Sequence, residues 1–189
     1  PNGKALNESD WNSESKHPYS YAKTEAERRA WKYAKEVDMN LVVINPTAVI
    51  GPYFHRHTPS TILFDKLLKG ELSVLPPQTF GYVDVRDVAL GHLKAYENDN
   101  AEGRHILCTK CLDGFELMDL IQELEPELKL PSKIAPMWQM QVFARWQATK
   151  ALFGYTPLIS PETVKEYMGK ITNYDSSKAK NVLGWNPME

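Results

Sequence analysis

Tyr19 and Lys23 stand four residues apart in "YSYAK". On a helix that spacing puts both side chains on one face, about one turn from each other. A phenol ordinarily titrates near pH ~10, too high to exchange a proton readily at neutrality. An ammonium group one turn away favours the phenolate and lowers that value. The pair is therefore either a proton donor with a cationic tuner or two polar residues on a solvated face. Tyr21 competes on the same helix, but its neighbour one turn on is Glu25, whose charge would raise its pKa. Spacing alone decides nothing, because a chain of this tyrosine and lysine content yields about one such match by chance. Tyr174 and Lys178 are a second match. There Asp175 or Ser176 reads as a helix cap, which places Tyr174 ahead of the helix rather than on it.

Other reactive residue types have plainer readings. Cys108 and Cys111 form a lone C-x-x-C in "LCTKCLD". The pair lacks the four ligands of a structural zinc site, so no metal is expected. Cys108 also ends an apolar run, "RHILC", instead of opening a helix, and the two read as strand-end thiols. His55 and His57 suit surface histidines of the loop "YFHRHTPST" and receive no role. Asp84, Arg86 and Asp87 are charged and close together, yet Asp84 and Asp87 fall where a helix N-cap and its N3 partner would stand.

Composition narrows the function classes. The 189 residues are 42% hydrophobic and 24% charged, as in ordinary soluble globular domains. A net charge of −2 and a pI near 6.3 give no electrostatic case for nucleic acid. No run approaches the ~18 consecutive apolar residues of a membrane span. "PNGKALNESDW" has neither the basic nor the apolar region of a secretory signal, and without an initiator Met it reads as the interior of a longer chain.

The reactive residues must be held by elements, and the sequence predicts these. "TEAERRAWKYAKE" is rich in helix formers and belongs to a helix from about Tyr19 to Val37. "LVVIN", Leu41–Asn45, is a continuous β-branched run of the kind buried on both faces in a parallel sheet. It ends at Pro46, and Gly51-Pro52 closes the turn. A helix over about Ser60–Leu68, a strand "FGYVDV", a helix "VRDVALGHLKAYE" and a strand Arg104–Cys108 follow. Two more helices start at "GFELMDL" and after Pro136, and short ones follow Ser160 and the Asp175–Ser176 cap. On the helix after Pro136, Trp138, Val142, Trp146, Thr149 and Phe153 recur at helical spacing, which predicts a core face or pocket wall. The order predicts an α/β fold with the turn after "LVVIN" at the carboxyl end of a buried strand, where ligands bind in open sheets.

Four blocks then resemble a known family in the right order: "YSYAKTEAE", "INPTAVIGP", "YVDVRDVALGHLKAYE" and "YDSSKAKNVLGWNP". From about Leu6 onward the chain is similar to the C-terminal half of an extended short-chain dehydrogenase/reductase. The "DVRDVA" block is closest to the branch of dihydroflavonol and cinnamoyl-CoA reductases. The resemblance implies the C-terminal part of a Rossmann-type, doubly wound parallel sheet with a smaller, mostly helical substrate lobe. It implies a Rossmann part over 1–52 and 79–102, a lobe excursion over 53–78, and mostly substrate lobe over 103–189. Tyr19 becomes the proton donor, and Lys23 its tuner and a holder of the nicotinamide ribose. Pro46, Thr47, Ala48 and Val49 become the nicotinamide shelf, and Ser60 a further cofactor contact, with Thr61 an alternative. The implied activity is NAD(P)H-dependent reduction of a small-molecule ketone or aldehyde, with NADP favoured over NAD. Alternatives are an inactive structural subunit of the same fold and a sugar-nucleotide epimerase or dehydratase.

The glycine-rich phosphate loop of that family is not among the ten glycines, and neither is the strand carrying its catalytic Ser or Thr. A sheet lacking those first strands leaves an apolar edge on "LVVIN". The expectation is an N-terminal half supplied by the same or a second chain, or the edge covered by another copy. The cytoplasm is the expected compartment.

Overall fold

The computed structural model describes residues 4–56, 58–155, 157 and 159–188. Helix α1 (Pro18–Glu36) starts with proline in its first turn, where the missing N–H is not needed, and runs through a segment dense in Ala, Glu, Lys and Arg. Strands β1 (Val42–Pro46) and β2 (Ala48–Ile50) follow, separated by Thr47 alone. Helix α2 (Pro59–Leu68) begins at a reciprocal cap between Thr58 and Thr61. Strand β3 (Phe80–Asp84) leads directly into α3 (Val85–Glu97), whose first turn is capped by the Asp84 carboxylate accepting the Arg86 N–H. Strands β4 (Gly103–Leu107) and β5 (Lys110–Leu112) come next, then α4 (Gly114–Leu124), opened by an Asp113–Glu116 capping box. Helices α5 (Met137–Ala151), α6 (Pro161–Tyr167) and α7 (Ser177–Leu183) complete the chain.

Two small sheets result. In the first, β1 and β4 run parallel, with Ile44 opposite His105 and Pro46 opposite Leu107. In the second the order is β2-β3-β5, with β2 parallel to β3 and β5 antiparallel to it. The parallel pairings follow from the helices between the strands, as a right-handed crossover requires. Among the described residues no strand pairs with the other edge of β1.

Two cores form, and the second sheet contributes to both. Val83, Leu107, Ala179, Leu183 and Trp185 form the first, against β1, β2 and α3, with Val83 reaching it from β3. The Trp185 indole N–H donates to the Asp87 carbonyl at 2.9 Å, so even this buried ring leaves no polar group stranded. Leu67, Leu75, Tyr82, Leu112, Leu117 and Met118 fill the second core between α2, α4 and the sheet. Both β4 and α7 join the first core, although they lie in the 103–189 segment.

Four local expectations change. The segment after Pro46 is a strand, not only a turn, because β3 lies beside it and accepts its pairing. Lys110–Leu112 is a strand for the same reason, on the other flank of β3. Asp87 is not a capping partner: it is buried, and its carboxylate accepts the Met188 N–H at 3.1–3.2 Å, pinning the chain end over α3. The aromatic stripe of α5 is not core. Trp138, Val142, Trp146 and Phe153 are all exposed, since α5 packs on α6 through its other side, with Met137, Met140 and Ala144.

Candidate active site

The carboxyl ends of β1 and β4 are where the two sheets part. After Pro46 the chain crosses at Thr47 into the second sheet, and after Leu107 it crosses at Cys108 into the same sheet. Thr47 donates its N–H to the Leu107 carbonyl at 3.0 Å and its hydroxyl to the same oxygen at 3.3 Å. Ser176 clamps the neighbouring crossing. Its hydroxyl accepts the Cys108 N–H and donates to the Cys108 carbonyl, both at 3.0 Å. Strand β3 enters between the two continuations at this point, lying between β2 and β5, and ligands of open α/β sheets bind at the carboxyl ends of such strands.

Pro46, Thr47, Ala48 and Val49, the residues expected to form the nicotinamide shelf, sit on this cusp. Pro46 is exposed, whereas Thr47, Ala48 and Val49 are half-buried. Because β2 is an edge strand of its sheet, its outer side keeps backbone groups free of ladder partners among the described residues. Gly81 makes the packing behind the shelf possible. A Cβ there would lie 2.9 Å from Cys108 Sγ and from a Tyr174 ring carbon, and 3.0 Å from the Thr47 methyl. Three side chains thus share the space that glycine leaves.

Tyr19 lies in the first turn of α1 and is 68% exposed; Tyr21 is exposed as well, and so is Lys23. What orients their face is the next residue along it. Glu27, one further turn from Lys23, accepts from Arg104 Nε at 2.7 Å, from Asn45 Nδ2 at 3.0 Å and from the Trp31 indole at 3.2 Å. Asn45 is the residue before Pro46, so the Tyr19–Lys23–Glu27 face is tied to the sheet beside the shelf. Arg104 extends the tie, donating to the Glu8 and Asp10 carbonyls at 2.7 and 2.9 Å and lying 4.1 Å from the centre of the Trp11 ring. Sequence reasoning missed Glu27 and Arg104. The i, i+4, i+8 series Tyr19, Lys23, Glu27 was the available signal.

The amino end of α1 also meets α6. His17 stands edge-on to Tyr167 at 5.3 Å between ring centres, and the Ser20 and Tyr167 hydroxyls are hydrogen-bonded. Burial pushes the Tyr167 phenol up; Glu166 and Tyr19 push it the same way, against the Ser20 bond. Burial likewise raises Tyr174, which also feels Cys111, Cys108 and Tyr167. Tyr174 itself precedes α7, whose first turn is capped by Asp175 accepting the Ser177 N–H at 2.8 Å.

Ser60 falls in the first turn of α2, with its side chain outside the described residues, and His57 lies outside them altogether. The Thr61 hydroxyl is occupied by the cap, accepting the Thr58 N–H at 2.8 Å. His55 is exposed. A cavity of about 440 Å³ opens beside β5, lined by Gln78, Thr79, Cys111, Asp113, Lys170 and Asn173 among others. Its walls mix polar and apolar groups, unlike the aromatic pocket the α5 stripe would have made. No group of three or more potential metal ligands exists among the described residues, and no described helix is long and apolar enough to cross a membrane.

Parallel strands with covering helices, parting at their carboxyl ends, define a Rossmann-like α/β fold. The crystal structure of yeast methylglyoxal/isovaleraldehyde reductase complexed with NADPH superposes with a TM-score of 0.68 at 24% identity, over 99% of this chain and 54% of that one. The chain belongs to the NAD dependent epimerase/dehydratase family, which it matches over residues 2–108. It is 37% identical over 148 residues to cinnamoyl-CoA reductase CAD2 of Medicago truncatula, covering 74% of this chain and 44% of that protein. A bifunctional dihydroflavonol 4-reductase/flavanone 4-reductase of Malus domestica is 35% identical, over 61% of this chain and 34% of that protein. The chain thus spans under half the length of these two relatives.

Proposed function

We propose that the chain is the C-terminal portion of an NADPH-dependent carbonyl reductase acting on a small-molecule ketone or aldehyde. The observation that carries this is the anchoring of the Tyr19–Lys23–Glu27 face to Asn45, immediately before the Pro46–Val49 shelf. A nicotinamide cofactor bound there supplies the hydride. Tyr19 gives its hydroxyl proton to the carbonyl oxygen as that oxygen gains negative charge, and Lys23 stabilises the resulting phenolate. Pro46, Thr47, Ala48 and Val49 hold the nicotinamide, Lys23 also meets the adjoining ribose, and Ser60 is a further contact. NADPH is favoured over NADH because the yeast structural relative is complexed with NADPH. The similarity to cinnamoyl-CoA and dihydroflavonol reductases favours an aromatic carbonyl substrate.

On this reading an N-terminal half of the fold, in the same or a second polypeptide, lies against the open edge of β1 and covers the exposed Tyr19. The assembled protein works in the cytoplasm. The test is to purify the native protein, determine its mass and polypeptide content, and titrate it with NADPH and NADH. Saturable binding with preference for NADPH, and its oxidation by an aromatic aldehyde or ketone, are expected. A complete fold that ignores both nucleotides overturns the reading.

A further inference from the structure

The C-x-x-C pair is built into the second sheet and its approach from β4. Cys108 is buried at the end of β4 and Cys111 is half-exposed in β5, with their sulfurs 3.6 Å apart. Backbone bonds hold both residues in place. Ser176 clamps Cys108 on both its N–H and its carbonyl, the Thr109 N–H donates to the Tyr82 carbonyl at 2.8 Å, and Cys111 pairs with Gly81 across the antiparallel ladder. Gly81 leaves room for the Cys108 sulfur, which a Cβ would crowd at 2.9 Å. Cys111 also lines the cavity beside β5, so a small reagent reaches it while Cys108 stays behind.

We infer that Cys108 and Cys111 are a peroxide-reactive thiol pair, in which Cys111 is the attacking sulfur and Cys108 the resolving one. The electrostatics agree with that order. The Cys108 thiol and the Tyr174 N–H both donate toward Cys111, bringing its thiol down to about 7, whereas the same thiol–thiol bond and burial push Cys108 up. At neutral pH the accessible sulfur is thus the one with thiolate character.

The chemistry balances with hydrogen peroxide as oxidant. The Cys111 thiolate attacks one peroxide oxygen, an S–O bond forms, the O–O bond breaks, and the departing hydroxide takes a proton to become water. The Cys108 sulfur then attacks the Cys111 sulfenic acid. The S–S bond forms as the S–O bond breaks, and the leaving hydroxide combines with the Cys108 proton as a second water. Two thiols lose two electrons in all, and one peroxide gains them. To form the bond the sulfurs close from 3.6 Å to about 2.05 Å. The Cys108 sulfur and the Thr47 methyl both border the space that Gly81 leaves, so the disulfide would form beside the cusp of the two sheets.

The pair can be tested without any assay of reductase activity, so its failure and that of the proposed function are separable. These are the chain's only two cysteines, which makes intact mass decisive. After a dose of hydrogen peroxide at pH 7, denaturation and alkylation, the wild-type chain should carry no alkyl group, weigh two hydrogens less, and regain both alkylation sites with dithiothreitol. Cys108→Ser should yield a Cys111 sulfenic acid that dimedone traps. Cys111→Ser should lose its remaining thiol at least about tenfold more slowly than Cys108→Ser. A wild-type chain that gains oxygen at either sulfur without forming the internal bond, or links only to a second chain, overturns the proposal. So does a Cys111→Ser chain that reacts as fast as Cys108→Ser. Should either variant misfold, the wild-type mass and its reversal by dithiothreitol still decide.

Discussion

Two tyrosine–lysine pairs share one spacing and come to different ends. Tyr19 and Lys23 lie on α1 with both side chains in the open, and their face is tied to the sheet one turn further on by Glu27. Tyr174 precedes α7, is mostly buried beside Thr47 and the cysteines, and its lysine partner Lys178 donates instead to the Glu102 carbonyl at 3.0 Å. Burial raises the Tyr174 phenol and makes it a poorer acid, while the lysine four residues on is spent on a backbone oxygen. Equal spacing therefore does not make equal chemistry. What separates the pairs is whether the tyrosine lies inside the helix and whether its lysine is free to face it.

The sharpest way to break that contrast is at the phenols themselves. In the complete fold, Tyr19→Phe should lower turnover by about 10²-fold or more, the range of a lost general acid, with NADPH affinity nearly unchanged. Tyr174→Phe should leave turnover within a factor of about two. Steady-state kinetics with nucleotide titration checks both, and equal losses would erase the distinction between the pairs. The next effect is on the tie that aims the first pair. Arg104→Ala strips the Glu27 carboxylate of its ion pair at a site where both groups are largely buried, 17% and 13% exposed. It also frees the Glu8 and Asp10 carbonyls. A loss of about 2–3 kcal/mol is expected in urea unfolding, because an uncompensated buried carboxylate remains. Arg104→Lys should recover only part of it, since one ammonium cannot replace the guanidinium fork.

Much of this was legible in the chain and some was not, for identifiable reasons. The helix carrying Tyr19, the buried strand ending at Pro46 and the Asp84 cap could be read because each is a local signal: helix formers after proline, a β-branched run, an acid before a helix. Ala48–Ile50 and Lys110–Leu112 were missed as strands because three residues have no period of their own; β3 between them makes them strands. The α5 stripe misled because periodicity shows that a face is apolar, not which neighbour covers it. Asp87 and Arg104 act through residues about 100 positions away, Met188 and Glu8, and such pairings leave no trace in local spacing. Of the elements around the candidate site, the helix carrying Tyr19 and Lys23 and the strand ending at Pro46 were readable, while the Glu27 anchor and the sulfur contact behind Thr47 depended on tertiary placement.

That sulfur contact offers a finer probe of the second region. Gly81→Ala puts a methyl 2.9 Å from Cys108 Sγ and a Tyr174 ring carbon and 3.0 Å from the Thr47 methyl. None of the three is a loose surface end, because Cys108 is clamped by Ser176 and Thr47 by Leu107. Overpacking of this kind should cost about 1–2 kcal/mol in urea unfolding and leave α1 untouched. A neutral result would mean that the cusp is softer than its hydrogen bonds indicate.

The smallest expected effect is a pH dependence seated in β4. His105 is fully buried, and burial, with a further push from Lys178, holds its folded pKa below the ordinary 6.5. A neutral ring favoured by the fold means that the unfolded chain binds the extra proton first. The His105 contribution to stability is therefore complete above about pH 6.5 and lost as pH falls through the lower folded value. Urea midpoints measured between pH ~7.5 and ~5 should decline, and His105→Leu should flatten that slope. The lowered carboxylates Asp84 and Glu166 act in a different window, because their stabilisation persists until pH drops below about 4. A decline that survives His105→Leu would put the titrating group elsewhere and detach β4 from the acid response. A flattened slope would tie the strand beneath the Thr47 cusp to protonation through its buried imidazole.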